Sequence, residues 1–101
     1  MILNNIINRI KQINPNIKFI GEFNENNQRT GYWERYLSNG NIIFKGNYLN
    51  GLKHGYWENY WLNGKLLKKG NYINGKEDGY WEYYWFDGNL KSKCTYHNDE
   101  L

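Results

Sequence analysis

Residues 55–65 read GYWENYWLNGK, and the fold turns on how that phrase sits. Its aromatic rings at Tyr56, Trp57, Tyr60 and Trp61 would fall on both sides of an extended strand, because successive side chains point to opposite faces. A sheet in water ordinarily hides only one face. The phrase therefore raises the question of what a second aromatic face would do.

The phrase recurs as GYWERYLSNGNIIFK from Gly31 and GYWEYYWFDGNLKSK from Gly79, 24 residues to either side of Gly55. A second phrase interleaves with it: GEFN at Gly21, GNYLNG at Gly46, GNYING at Gly70, and a degenerate CTYHND at Cys94. One extra residue falls in the loop NENNQRT, which a loop tolerates cheaply. A fixed period of this kind marks a repeat architecture, in which each unit buries surface by stacking on its neighbours.

Asn39-Gly40, Asn63-Gly64 and Asp87-Gly88 are dipeptides suited to two-residue hairpin turns, whose central residues both need positive φ. Aromatic and β-branched residues flank them, as strands prefer. We expect strands near 18–24, 31–38, 41–49, 55–62, 65–73, 79–86 and 89–96. The fold class is then mainly β, an antiparallel β-meander over residues 18–98 with hairpin repeats at about 31–54, 55–78 and 79–98. Longer loops such as NGLKHG (50–55) return the chain between hairpins. Ile2, Leu3, Ile6, Ile7, Ile10 and Ile13 recur at helical spacing and Pro15 follows, so residues 1–14 are expected to form a short N-terminal capping α-helix against the sheet.

A two-residue turn gives facing positions a constant sum. Glu58 then faces Lys69 and Trp57 faces Gly70; Glu34 and Glu82 face Lys45 and Lys93; Trp33 faces Gly46, and Trp81 faces Cys94. Opposite charges meet, and the smallest residue lies beneath the largest ring. A slip of one residue would lose both and invert every side chain. Alternation gathers Trp33, Leu37, Ile42, Phe44, Tyr48, Trp57, Trp61, Leu66, Tyr72, Trp81, Tyr83, Trp85, Leu90 and Tyr96 on one face, joined by Arg35 and Lys68. The reverse face carries Tyr32, Tyr36, Tyr56, Tyr60, Tyr80 and Tyr84 with the Glu/Lys pairs.

One helix shields only two or three strands, which leaves Trp61, Trp81, Tyr83 and Trp85 as an uncovered apolar patch. Such a patch marks an interaction site more often than a resting surface. The expected partner-binding residues are Trp61, Trp81, Tyr83 and Trp85, or else the Tyr60/Tyr84 ladder, whose rings offer rigid area with a polar tip. A homodimer closing the Trp face is a further expectation.

Composition narrows the function classes. The apolar share is 40%, yet ten Tyr and five Trp supply much of it, so the core must be aromatic. A net charge of +3 permits an anionic partner without requiring one. Aromatic rings interleaved with Lys would suit single-stranded nucleic acid, but the basic residues are paired with Glu or scattered over loops, which argues against it. No face combines dense cations with projecting apolar residues, which argues against a membrane surface. The single cysteine leaves no internal disulfide framework. The N-terminus lacks the unbroken apolar centre of a secretory signal, so a cytoplasmic protein is expected. No nucleophile motif, phosphate cradle or metal-ligand spacing appears: we expect no enzyme activity, no cofactor and no metal. Each Glu of the column Glu34, Glu58, Glu82 has a Lys opposite, which favours the ionised form and removes a general acid.

The GYWE–x–Y–x–x–NG–x–L and GNY–x–NG–x–x–x–G phrases resemble MORN-type repeats in their bacterial variant form, over roughly residues 20–98. The resemblance implies an elongated array of antiparallel hairpins, with the family's aromatic positions carried at Tyr56, Trp57, Tyr60 and their period mates. It also implies a non-enzymatic binding module contacting proteins or membrane phospholipids. Bacterial members are often labelled antitoxin-like. That implies a protein that neutralises a toxin or nuclease-like effector, or one from a phage or mobile element that blocks a host defence nuclease. Cys94 departs from the pattern where a repeat glycine would stand.

Overall fold

The computed structural model describes residues 17–97. Seven strands run in chain order: β1 (Ile17–Phe23), β2 (Arg29–Leu37), β3 (Ile42–Leu49), β4 (Leu52–Tyr60), β5 (Leu66–Ile73), β6 (Lys76–Tyr84) and β7 (Leu90–Tyr96). They form one antiparallel sheet in which every strand pairs with its sequence neighbours. The molecule is 13 Å deep in its thinnest dimension, and among the described residues no second layer covers the sheet. The expected helix at 1–14 lies outside the described residues.

The predicted pairings hold in the body of each hairpin: Glu58 opposite Lys69 and Trp57 opposite Gly70, Glu34 opposite Lys45 and Trp33 opposite Gly46, Glu82 opposite Lys93 and Trp81 opposite Cys94. The turns differ from expectation. At Asn63-Gly64 only the glycine has positive φ (88°). Gly64 N–H donates to the Trp61 carbonyl, and Trp61 N–H donates to the Lys65 carbonyl. This is a three-residue hairpin loop, a tight turn followed by a left-handed glycine. The Asn63 side chain fixes it by accepting from Lys65 N–H at 2.9 Å, and Asn39 and Asp87 repeat that contact. The extra residue shifts the register next to the loop, so Ile42, Leu66 and Leu90 fall opposite Tyr36, Tyr60 and Tyr84. They therefore lie on the phenol side, not with the indoles.

The true two-residue turns are Asn50-Gly51 and Asn74-Gly75, where both residues have positive φ (50° and 86°, 49° and 84°). Strands β4 and β6 consequently begin at Leu52 and Lys76, three residues earlier than expected, and the segment 50–55 is mostly strand. Gly31, Gly55 and Gly79 lie inside strands with φ of 71–82°, where a side chain would be strained. They mark bulges: Asn47 pairs with His54, whereas Gly46 pairs with Trp57.

The bulge creates the core. It opens the ladder beside Asn47, and the Trp57 indole swings over the preceding strand, its N–H donating to the Asn47 carbonyl at 2.8 Å. Trp33 and Trp81 bond likewise to the carbonyls of Glu22 and Asn71. A Cβ on Gly21, Gly46 or Gly70 would fall 2.1–2.2 Å from Trp33, Trp57 or Trp81. The glycine beneath each ring therefore belongs to the preceding strand and not to the hairpin partner, which corrects the expected nesting. Cys94 is tolerated because no described indole follows it.

The three indoles are at most 1% exposed. Rings enclose them in a row of edge contacts, Trp33–Tyr48–Trp57–Tyr72–Trp81–Tyr96, with centroids 5.0–6.4 Å apart. Cations close the top: Arg29 stands 4.8 Å above Trp33, Lys53 5.0 Å above Trp57 and Lys68 5.7 Å above Trp81. A single sheet thus buries its own core by laying rings on its backbone.

Candidate functional site

The phenol face is a regular clamp. In each Y-W-E-x-Y phrase the glutamate accepts hydrogen bonds from both tyrosines, two residues before it and two after. Tyr32 and Tyr36 donate to Glu34 at 2.6 and 2.5 Å. Tyr56 and Tyr60 donate to Glu58, and Tyr80 and Tyr84 to Glu82. Strand alternation makes this possible, since i and i+2 share a face.

Charge links the clamps. Lys45 bridges to Glu58 at 3.3 Å and Lys69 to Glu82 at 3.5 Å. The lysines therefore reach the next repeat's glutamate rather than closing contact within their own hairpin, a geometry the hairpin register alone did not reveal. Hydrogen bonds from Tyr32 and Tyr36 hold the Glu34 carboxyl below its ordinary range. Burial pushes Glu58 upward, but the bonds from Tyr60, Tyr56 and Lys45 outweigh it and leave that carboxyl lowered too. The phenols move the other way: Tyr84 is pushed up to about 12, first by its bond to Glu82. Three ionised carboxylates held by phenols offer no general acid.

The predicted partner residues separate into three environments. Trp81 is fully buried, so it supports the sheet from within and projects no ring. Tyr83 stacks on Trp81 at 6.1 Å and shares a 2.7 Å hydrogen bond with Tyr96. Tyr60 and Tyr84 are half-buried, with their hydroxyls engaged by Glu58 and Glu82.

Trp61 and Trp85 stand at the loop end of the sheet. Trp61 donates its indole N–H to the Tyr84 carbonyl at 3.2 Å and stacks on Phe86 at 5.9 Å. Trp85 is 52% exposed, Phe86 53% and Leu62 71%, and the Lys91 ammonium lies 4.8 Å from the Trp85 ring. Backbone-directed bonds tie neighbouring loops together: Asn41 to the Leu62 carbonyl, Asn63 to that of Phe86, and Lys65 to that of Asp87. The rim is therefore braced although its rings are open to solvent. Phe86 and Leu62 were absent from the expected set. Their signal was the period itself, because the equivalent pairs run Leu37-Ser38, Trp61-Leu62 and Trp85-Phe86, gaining apolar surface from repeat to repeat.

Among the described residues no group of three or more His, Cys, Asp or Glu could hold a metal ion. No curated protein matches the chain. The MORN repeat variant family matches residues 29–50, 53–74 and 77–98, each segment one hairpin: β2–β3, β4–β5 or β6–β7. That description names a repeat and brings no toxin or nuclease partner with it. With three consecutive repeats matched across most of its length, the chain belongs to the MORN repeat variant family.

Proposed function

We propose that the chain is a non-enzymatic binding module that docks a protein partner through the apolar rim formed by Trp61, Leu62, Trp85 and Phe86, and that neutralisation of that partner is the consequence. One observation carries the reading: three large apolar side chains are more than half exposed on a braced rim, in a molecule whose other large rings are enclosed or hydrogen-bonded. Aromatic anchors of this type dominate binding energy when a partner desolvates them. The family supports it, since MORN repeats commonly mediate protein or membrane interactions. Tyr60 and Tyr84 serve less well as anchors, because their hydroxyl protons already go to glutamates.

The test is capture of a partner from the native host by the whole chain, followed by affinity measurement with that purified partner. The Trp85→Ala/Phe86→Ser variant should fold and lose at least about tenfold in affinity, and saturating wild-type chain should suppress the partner's toxic or nuclease activity. An unchanged affinity in that variant contradicts the rim. Steeply salt-dependent binding of a single-stranded oligonucleotide, with no protein captured, would replace the reading with the nucleic-acid one.

A further inference from the structure

At the other end of the strands, between the Asn50-Gly51 and Asn74-Gly75 turns, a groove of about 510 Å³ opens on the indole face. Tyr48 and Tyr72 floor it, Leu52 forms an apolar wall, and Lys53, Lys68 and Glu77 bring charge to it. The two lysines differ from those of the phenol face. Lys45 and Lys69 bridge to glutamates, whereas among the described residues Lys53 and Lys68 make no ion pair. Their ammoniums rest on rings, Lys53 over Trp57 and Tyr72 at 5.0 and 5.1 Å and Lys68 over Trp81 at 5.7 Å. Burial, and then the neighbouring Lys68 charge, lowers the pKa of Lys53. Two cations share a partly desolvated groove without a matching pair of anions.

The single carboxylate in the groove does not resolve this. Glu77 acts on Lys53 against the lowering by burial and Lys68 and also accepts from the Tyr83 hydroxyl at 3.4 Å, so one shared carboxylate faces two lysines. Glu77 occupies the repeat position that holds Arg29 and Lys53 in the earlier units, so the cationic lining ends there.

We propose that this groove binds an acidic peptide segment of the protein partner, with one carboxylate placed between Lys53 and Lys68 and an apolar neighbour against Leu52 and the Tyr48 and Tyr72 rings. Charge complementarity selects an anion. The volume and the aromatic floor select a side chain with its flanking chain rather than a small ion. A phosphate group would fit less well. The Gly51 and Gly75 N–H groups already donate to the Arg29 and Lys53 carbonyls, so they supply no backbone cradle. No guanidinium is among the residues lining the groove, since the nearby Arg29 donates to the Tyr48 hydroxyl at 3.1 Å, and Glu77 repels a doubly charged ligand more than a single carboxylate. The assignment rests on the protein-binding reading above but concerns a different surface.

The probe is an acetylated peptide of alternating Glu and Leu, titrated into the whole chain by calorimetry and Trp fluorescence, beside an isosteric peptide with Gln for Glu. The Glu peptide should bind in a salt-sensitive way and the Gln peptide at least about tenfold more weakly. Lys53→Gln and Lys68→Gln should each lose about tenfold, Lys53→Arg/Lys68→Arg should retain binding, and Glu77→Gln should tighten it. The Trp85→Ala/Phe86→Ser variant should bind the peptide as wild type does, so failure of the rim and failure of the groove are read separately. Thermal melts check the folding of each variant. If the Gln variants do not fold, the Glu/Gln peptide pair on wild-type chain decides. Equal affinity for the two peptides overturns the proposal, as does unchanged affinity in a folded double Gln variant. Binding of phosphatidylserine vesicles through these lysines with no binding of the peptide also overturns it.

Discussion

The two faces of this sheet carry similar rings and use them in opposite ways. On the indole face Trp33, Trp57 and Trp81 lie flat over glycines of the preceding strand and vanish from solvent. On the phenol face Tyr32, Tyr56 and Tyr80 stay about half exposed and act through their hydroxyls on a column of glutamates. The difference follows from the ring's polar group. An indole N–H can reach a backbone carbonyl freed by a bulge, so the whole ring can be buried with its donor satisfied. A phenol O–H at the far tip suits a carboxylate standing in the same row. The opening phrase is thus aromatic on both sides because a one-layer sheet must make its core and its charge scaffold from the same strands.

The comparison breaks most visibly if the indole face tolerates truncation. Trp57→Ala should cost roughly 3–5 kcal/mol, the range for emptying a large aromatic site, read from urea unfolding of the whole chain. Its partner across the face rule, Tyr56→Phe, removes one hydrogen bond to Glu58 and should cost about 0.5–1.5 kcal/mol.

Glu58→Gln comes next. It removes the charge that accepts from Tyr56, Tyr60 and Lys45, and should cost about 1–3 kcal/mol by the same unfolding measurement. A loss as large as that of Trp57→Ala would mean that the clamp, and not the indole row, organises the sheet.

A pH series sharpens the contrast further, because the clamps of the phenol face pair carboxyls and phenols whose pKa values move in opposite directions. The carboxyls of Glu34, Glu58 and Glu82 lie below their ordinary 4.5 when folded. Their stabilisation is therefore complete above that value and drains as pH falls through the folded pKa. The phenols are raised above 10.0, so their contribution is complete below that value and is lost as pH climbs through the folded pKa. Thermal melts should show a plateau between these limits and a decline on both sides, with the acid decline reduced in Glu58→Gln.

The smallest effect is expected at Cys94, the repeat-glycine position with no described indole above it. Cys94→Ala should change stability by less than about 1 kcal/mol, whereas alanine at Gly70 should unfold the sheet or displace Trp81. Equal costs at the two positions would remove the reason given for the departure.

Much of this was legible in the residues. The period of the GYWE phrase fixed the meander, and matching Glu with Lys fixed the register in the body of each hairpin. Two features were not. Asn-Gly occurs at both ends of the first two hairpins, and the same dipeptide serves a two-residue turn at 50–51 and a three-residue loop at 63–64. The choice depends on whether the Asn side chain bonds the backbone two residues on or the Asn itself adopts positive φ. The second feature was the direction of each indole. Register showed which glycine faced Trp57, but the bulge at Gly55 decides that the ring lies over Gly46. At the site, Trp61 and Trp85 were legible as candidates, while the burial of Trp81 was not, because Tyr72, Tyr96 and Lys68 enclose it from neighbouring strands.

The most direct measurement is a double-mutant cycle on Gly21 and Trp33, the outermost nested pair, using Gly21→Ala, Trp33→Leu and the double variant in urea unfolding. Nesting predicts a coupling of about 1–3 kcal/mol, with most of the alanine's cost disappearing once the indole is gone. Additive costs would mean that the ring does not rest on that glycine, and the account of how one sheet buries its own core would fail.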